Sequence, residues 1–239
     1  MQLLVDFLCR FGFGLALGLV LTPATLVPPG FFRVNCLVIM GLATLAALAA
    51  PGTGPAAGWI LAAAAAVVAW MGSVAWLAGR VRVGQAACLA VAVALAAATW
   101  VAAPTGADAA PARLLSGAVV GLAVHAMLLG HWYLNAPGMR VEALVRMIDA
   151  ALVAWGLALV LAAGGLVATG WPAADGSKTA LALESLRWLA GLVGLPVLLW
   201  MSRETLRIPN TQSATGILYV ACLAAIVGEL AGQLLAAGA

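Results

Sequence analysis

The sequence predicts an all-α, polytopic integral membrane protein: a single transmembrane domain built as a helical bundle of about eight transmembrane helices. Of its 239 residues, 65% are hydrophobic and only 8% are charged, whereas soluble domains carry about 25% charged residues. The apolar residues also come in long runs, and about 20 residues of helix cross the ~30 Å hydrocarbon core of a bilayer. Ala, Leu, Val and Gly dominate these runs without the alternation that is typical of a membrane β-barrel.

Clusters of Pro and Gly separate the predicted spans, and such clusters break helices where water can satisfy the backbone groups. "TPATLVPPG" follows the first span, "APGTGP" the second and "NAPG" the fifth. The second span is short and the sixth is long, so one boundary is expected to shift by several residues. The spans cover residues 4–24, 34–50, 57–79, 84–103, 113–135, 145–170, 182–202 and 214–237.

The first span carries two charges, Asp6 and Arg10, and no basic leader precedes it. It is therefore interpreted as a retained helix rather than a cleavable signal peptide. The two side chains are four residues apart, the spacing at which a helical ion pair forms.

The basic residues predict the orientation in a cell inner (plasma) membrane. The first, third, fifth and seventh loops and their flanks carry seven of them, namely Arg33, Arg80, Arg82, Arg140, Arg146, Arg203 and Arg207. The opposite side carries four, namely Arg10, Arg113, Lys178 and Arg187. Because cytoplasmic loops are enriched in Lys and Arg, both termini are expected on the non-cytoplasmic side.

Spans two to four are rich in Ala and almost free of polar side chains, which suits close packing against other helices. No internal repeat is evident, and this disfavours a transporter built from inverted repeats. No basic stripe indicates nucleic acid, so the expected partners are the lipid bilayer and other membrane subunits. The four cysteines, Cys9, Cys36, Cys88 and Cys222, lie in apolar segments without metal-ligand spacing and are interpreted as small buried hydrophobes.

Both histidines lie in the fifth span, in "VHAMLLGHWYLNAPGM". A polar group at mid-membrane needs a partner inside the bundle, so His125 is expected to be buried with a polar or metal partner. Neutral imidazole also ligates haem iron, copper or zinc. His131 lies six residues on, about 120° around the helix and ~9 Å along it, so the two rings are not expected to share one metal.

Two polar stretches lie at the predicted cytoplasmic ends of spans five and eight. "HWYLN" offers His131, Tyr133 and Asn135, either as ordinary interface residues or as part of a site for a quinone headgroup. "SRETLRIPNTQSATG" offers Arg207, Asn210 and Gln212. The side chain of Asn210 is expected to cap the last helix by accepting from the backbone N–H of Gln212 or Ser213. We expect the two stretches to meet and form one polar pocket.

Glu229 lies inside the last span, one turn before Gln233. A carboxylate in hydrocarbon is expensive, so it should be protonated or paired within the bundle, with Arg10, Arg187 or Gln233 as partners. Pro196 lies inside the seventh span and should kink it or leave the carbonyl of Leu192 without its helical donor.

Three functions fit these features. The first is a membrane subunit of a respiratory or redox assembly that binds quinone or haem b near His125 and His131, with His125 as the candidate metal ligand. The second is a small-solute or ion transporter that uses Glu229 and His125. The third is a structural or assembly subunit without chemistry of its own. No P-loop, GxSxG, HExxH or CxxCH motif is present.

Overall fold

The computed structural model describes residues 1–52, 54–102, 109–136, 138–169, 178–208 and 210–238. The described chain is helical, and eight of its helical segments are long and apolar enough to cross a bilayer. The prediction of a membrane-spanning helical bundle is confirmed, and the chain is a multi-pass membrane protein. The first six spans are α1 (Gln2–Leu21), α2 (Pro29–Ala49), α3 (Ala56–Leu77), α4 (Val81–Val101), α5 (Ala109–Asn135) and α6 (Glu142–Thr169).

The seventh span is one continuous helix of three parts. It begins as α7 (Lys178–Leu186), widens into a π-helix (Arg187–Gly194) and ends as α8 (Leu195–Thr205). The eighth span is α9 (Thr211–Ala236). Pi-helical turns are rare and frequently occur at functional sites.

The predicted start of the second span was wrong by five residues. The helix begins at Pro29, not at residue 34, because proline suits the first turn of a helix, where its missing N–H has no helical acceptor to lose. As a result Arg33, which we had counted with the first loop, lies inside α2.

Helices α1 and α5 pack closely against each other through faces that carry glycine. In α1, a Cβ added at Gly14 would lie 2.8 Å from the Cα atom of Gly121 and 2.9 Å from the carbonyl carbon of Gly117, both in α5. The α1 and α5 backbones are therefore in direct contact, the arrangement that small residues permit between membrane helices. Helix α5 also packs against α6 and α9, and α1 against α2 and α4.

The outside of the bundle is apolar. Large side chains such as Val67, Leu89, Val160 and Leu223 are more than half exposed. The seventh span is the least embedded, since 6% of its most apolar stretch is buried within the protein. Most of the surface of this span therefore faces outward from the bundle, and the span lies at the edge of the bundle beside α9.

Candidate functional site

A buried charge network joins the first, fifth and last spans at the side of the bilayer where α1 begins and α9 ends, hereafter the terminal side. Asp6 pairs with Arg10 in α1 and with Arg113 in α5. Arg10 Nη1 also lies 2.8 Å from Glu229 Oε1 in α9, and Gln233 Nε2 donates to the same oxygen at 2.8 Å. The expected Asp6–Arg10 pair is thus confirmed, and Arg10 and Gln233 are partners of Glu229 as expected. Arg187, the third expected partner, lies nearest to Glu184 instead.

The network is shielded from solvent but not completely hydrogen-bonded. The side chains of Arg10 and Glu229 are 12% and 9% exposed. Among the described residues, Arg10 Nε, Arg113 Nε and Gln233 Oε1 are buried without a hydrogen-bond partner. Buried polar groups normally have partners, so this region offers donors and an acceptor beyond those that the ion pairs use.

An apolar cavity of about 400 Å³ adjoins the network. It lies between α5, α6, the seventh span and α9. Its walls are mostly apolar, and Ser116, Glu184, Arg187 and Glu229 are the polar residues at one end. Its apolar wall is formed by Leu115, Val119, Val120, Trp155, Ala158, Leu161, Ala162, Leu192, Leu195 and Ala225. The cavity borders the apolar outer surface of the bundle, where its lining residue Leu161 is 48% exposed.

A second, polar cavity of about 720 Å³ continues toward the terminal side and is called the vestibule here. Asp6, Arg10, Arg113 and Gln233 line it. It shares six lining residues with the apolar cavity, namely Ala112, Ser116, Glu184, Arg187, Gly228 and Glu229. Glu229 therefore stands where a lipid-facing apolar space meets a polar space at the membrane surface.

The π-helix forms one wall of the apolar cavity, and two contacts hold it. Gly191 meets Gly228 of α9 so closely that a Cβ at Gly191 would lie 3.2 Å from the Cα atom of Gly228. The indole Nε1–H of Trp155 donates to the carbonyl oxygen of Leu192 at 3.1 Å. That carbonyl precedes Pro196 by four residues, so the group expected to lack its helical donor is the one that Trp155 satisfies.

Arg187 is the most accessible cation at the junction of the two cavities. Its side chain is 40% exposed, and its nearest carboxylate contact is Glu184 Oε2 at 3.9 Å. Glu184 also accepts a hydrogen bond of 2.6 Å from the indole of Trp188. A guanidinium has five N–H donors, and one distant ion pair leaves most of those of Arg187 available to a ligand.

His125 is fully buried, as expected, but away from both cavities. Its Nε2 lies 2.7 Å from the hydroxyl of Thr22, which in turn lies 2.7 Å from the carbonyl oxygen of Gly18. One arrangement satisfies these atoms: Thr22 donates to Gly18, and Nε2–H donates to Thr22. The ring rests on the α1 backbone, since a Cβ at Gly18 would lie 2.8 Å from Nδ1. It also makes a T-shaped contact with the ring of Phe31, with centroids 5.3 Å apart.

His125 was expected to be buried with a polar partner, and that partner is Thr22. Within the described ranges, no three His, Cys, Asp or Glu side chains come close enough together to hold a metal ion. That His125 ligates a metal, or that either histidine holds haem or quinone, stays a prediction.

The predicted polar pocket at the other side of the bilayer takes a different form. Helices α5 and α9 do meet there, through a 3.2 Å contact between His131 Nδ1 and the hydroxyl of Tyr219. The remaining side chains bond locally. Tyr133 is buried and donates to the carbonyl of Arg140, and Asn135 donates to the carbonyl of His131.

The α9 end of this expected pocket is also locally satisfied. Arg207 pairs with Glu204 at 2.9 Å. Asn210 accepts from the backbone N–H of Ser213 at 3.0 Å, which confirms the predicted cap. Gln212 is exposed in the first turn of α9. These groups serve helix ends and loops, and the cavities described above lie elsewhere.

Comparison with models of protein families, with curated proteins and with solved structures finds no match for this chain. The function must therefore be argued from the site itself.

Sequence reasoning identified Glu229 and named Arg187 as a candidate partner for it, but missed Arg113, Trp155 and the cavities. Arg113 was counted only as a topology signal. Its position near the end of a span carried no indication that it faces the same space as Glu229, because that depends on how the helices rotate against one another.

Proposed function

We propose that this protein is a membrane subunit of a redox assembly that takes up a quinone-class molecule from the bilayer into the apolar cavity beside Glu229. The observation that carries the proposal is the junction of the two cavities. An apolar, lipid-reaching space of about 400 Å³ ends at Arg187 and Glu229 and continues into a polar vestibule. Small-molecule pockets are mostly apolar, of roughly 300–1,000 Å³, with a few polar groups that orient the ligand.

The balance of charge favours a neutral headgroup over an anionic one. At the junction the cation Arg187 stands with the carboxylates Glu184 and Glu229, and Glu229 is already paired with Arg10. A quinone carbonyl would accept from the Arg187 guanidinium, and a quinol hydroxyl would donate to a carboxylate. An anionic lipid head would gain from Arg187 but would be repelled by both carboxylates.

Oxidation of a quinol to a quinone releases two protons and two electrons, and Glu229 would take up the first proton and pass it on before it takes up the second. Its contacts with Arg10 and Gln233, both of which line the vestibule, connect it with the membrane surface. Electrons would pass to a redox centre on a partner subunit, which would associate through the bilayer. In this proposal the assembly resides in the inner membrane with both termini on the non-cytoplasmic side, so protons would leave away from the cytoplasm.

A binding measurement with a matched pair of variants tests the proposal. Ala158→Leu fills the apolar cavity, whereas Ala64→Leu adds the same bulk on an exposed face of α3. A short-chain ubiquinone analogue at about 100 times its Kd should stabilise the parent and A64L by about 2.7 kcal/mol. The A158L protein should lose this stabilisation. Equal stabilisation of both variants, or stabilisation by palmitate but not by the quinone, would contradict the proposal.

A small-solute or ion transporter is the second candidate, and one observation favours it: the paired carboxylate of Glu229 lines both cavities. Such a carrier should produce substrate-dependent proton flux in proteoliposomes that contain this chain alone. The quinone-binding subunit should not, because it needs a partner for its electrons.

A further inference from the structure

We propose that Cys36 and Cys88 form a two-thiol binding site for a soft monovalent cation of the copper(I) class. Their sulfur atoms lie 3.8 Å apart, although the residues are 52 positions apart in the sequence. Both side chains are buried, at 3% and 2% exposure. This site is separate from the proposed quinone site and does not depend on it.

The distance between the sulfurs suits a shared ion. A disulfide bond requires about 2.04 Å between its sulfurs, so the two residues are separate thiols. At about 2.3 Å per metal–sulfur bond, two sulfurs 3.8 Å apart subtend an angle of roughly 110° at a common ion. Copper(I) with two sulfur ligands prefers a straight arrangement, in which the two bonds together span about 4.6 Å. The sulfurs would therefore move apart by up to about 0.8 Å when the ion binds.

The surroundings of the two sulfurs are apolar and closely packed. The Cβ that Gly72 lacks would lie 3.5 Å from the Cys36 sulfur, so a larger residue there would crowd the site. Trp76 lies beside Cys88 and stacks on Phe32, with ring centroids 4.3 Å apart. Packing of this kind keeps water away from the two sulfurs.

Ligand type and charge select the cation. Thiolates are soft ligands that favour copper(I), whereas zinc usually takes four protein ligands in a structural site. In the part of the chain that the structure describes, no third His, Cys, Asp or Glu joins the pair. One thiolate, one thiol and one monovalent cation give a neutral site, which a membrane interior tolerates best.

The binding step releases one proton. Copper(I) forms bonds to both sulfurs, one S–H bond breaks, and that proton leaves to the solvent, so no electron transfer is involved. Because the ligand must lose a proton to bind, affinity should rise about tenfold per pH unit below the pKa of the thiol.

The test uses purified, reduced full-length protein titrated with copper(I) against the chelator bicinchoninate without oxygen. Cys9 and Cys222 are also buried free cysteines, and they provide matched controls. The parent, Cys9→Ala and Cys222→Ala should each bind one equivalent. Cys36→Ala and Cys88→Ala should each weaken copper(I) binding by more than about 100-fold. Loss of a residue that only supports a metal ligand costs about 10–100-fold, so a larger loss identifies the two sulfurs as ligands. Unchanged binding in C36A and C88A would overturn the proposal.

A second measurement needs no variant and covers the case in which one fails to fold. Parent protein is treated with N-ethylmaleimide in detergent with and without one equivalent of copper(I), and modification is read by peptide mass spectrometry. Copper(I) should protect Cys36 and Cys88 but not Cys9 or Cys222. Equal protection of all four cysteines, or of none, would show that the pair is only close packing of two small side chains.

Discussion

The indole N–H of Trp155 donates a 3.1 Å hydrogen bond to the carbonyl oxygen of Leu192, four residues before Pro196. A side chain from α6 thereby replaces the backbone donor that the proline removes from the seventh span. The bond also closes one wall of the apolar cavity, since Trp155 and Leu192 both line it. Its removal should therefore affect both the stability of the seventh span and the shape of the cavity.

Trp155→Phe should destabilise the protein by about 1 kcal/mol, because the Leu192 carbonyl loses its donor while the aromatic ring is kept. Pro196→Ala restores a backbone N–H, so the same Trp155→Phe change in the P196A background should cost less. A double-mutant cycle of thermal unfolding in detergent measures this coupling. Trp70→Phe, on an exposed face of α3, is the control and should be nearly neutral. Additive effects of W155F and P196A would contradict the assignment.

Glu229→Gln should destabilise the protein by several kcal/mol, because Arg10 then stays buried with less compensation. Thermal unfolding and yield measure the loss. Glu204→Gln is the control: its pair with Arg207 is 72% exposed on the arginine side and should contribute about 0–1 kcal/mol. If E229Q instead keeps yield and stability, then Glu229 is already protonated, and this would contradict both its ion pair with Arg10 and its proposed role as the proton acceptor.

Gly18→Ala should strongly reduce folded yield, because the added Cβ would lie 2.8 Å from both Cβ and Nδ1 of His125. The ring cannot move aside easily, since it is fully buried and packs against Phe31. Gly41→Ala, where an added Cβ meets nothing within 4 Å, should be harmless. Removing the ring with His125→Ala should rescue G18A in part. Size-exclusion chromatography of the four proteins gives the result, and equal recovery of G18A and G41A would refute the contact.

Asn210→Ala should destabilise α9 by about 1 kcal/mol, the usual loss for an N-cap whose side chain accepts from the third helical residue. Asn135→Ala is a suitable comparison, because Asn135 is exposed and its 3.3 Å bond to the carbonyl of His131 is local. Hydrogen exchange in the first turn of α9 should rise in N210A and stay unchanged in N135A.

The features that depend on one segment of chain could be predicted from sequence. The spans followed from apolar runs, the Asp6–Arg10 pair from helical spacing, and the Asn210 cap from residue type at a helix start. The carbonyl of Leu192 was also recognised, because a proline affects a fixed position four residues earlier.

The features that depend on which helices meet could not be predicted in this way. The donor to Leu192 comes from Trp155, 37 residues away, and Asp6 finds a second cation in Arg113. Cys36 and Cys88 belong to spans with almost no polar residues and no recognisable spacing. The polar residues at the ends of spans five and eight were expected to form one pocket, because they lie on the same side of the bilayer. Tyr133 and Asn135 instead donate hydrogen bonds to backbone carbonyls near them in the sequence.

The contact between Arg10 and Glu229 has a consequence for biogenesis. The two residues are 219 positions apart, so at ~5–20 residues per second roughly 10–40 s of synthesis separate them. Until Arg113 of α5 is made, Asp6 balances Arg10 in the first span. From then until Glu229 is made, the three side chains together carry one uncompensated positive charge. Helix α9 delivers the missing carboxylate. A chain that stops short of Glu229 would keep an unpaired cation in the membrane, and this charge distinguishes a bundle without α9 from one in which α9 has docked.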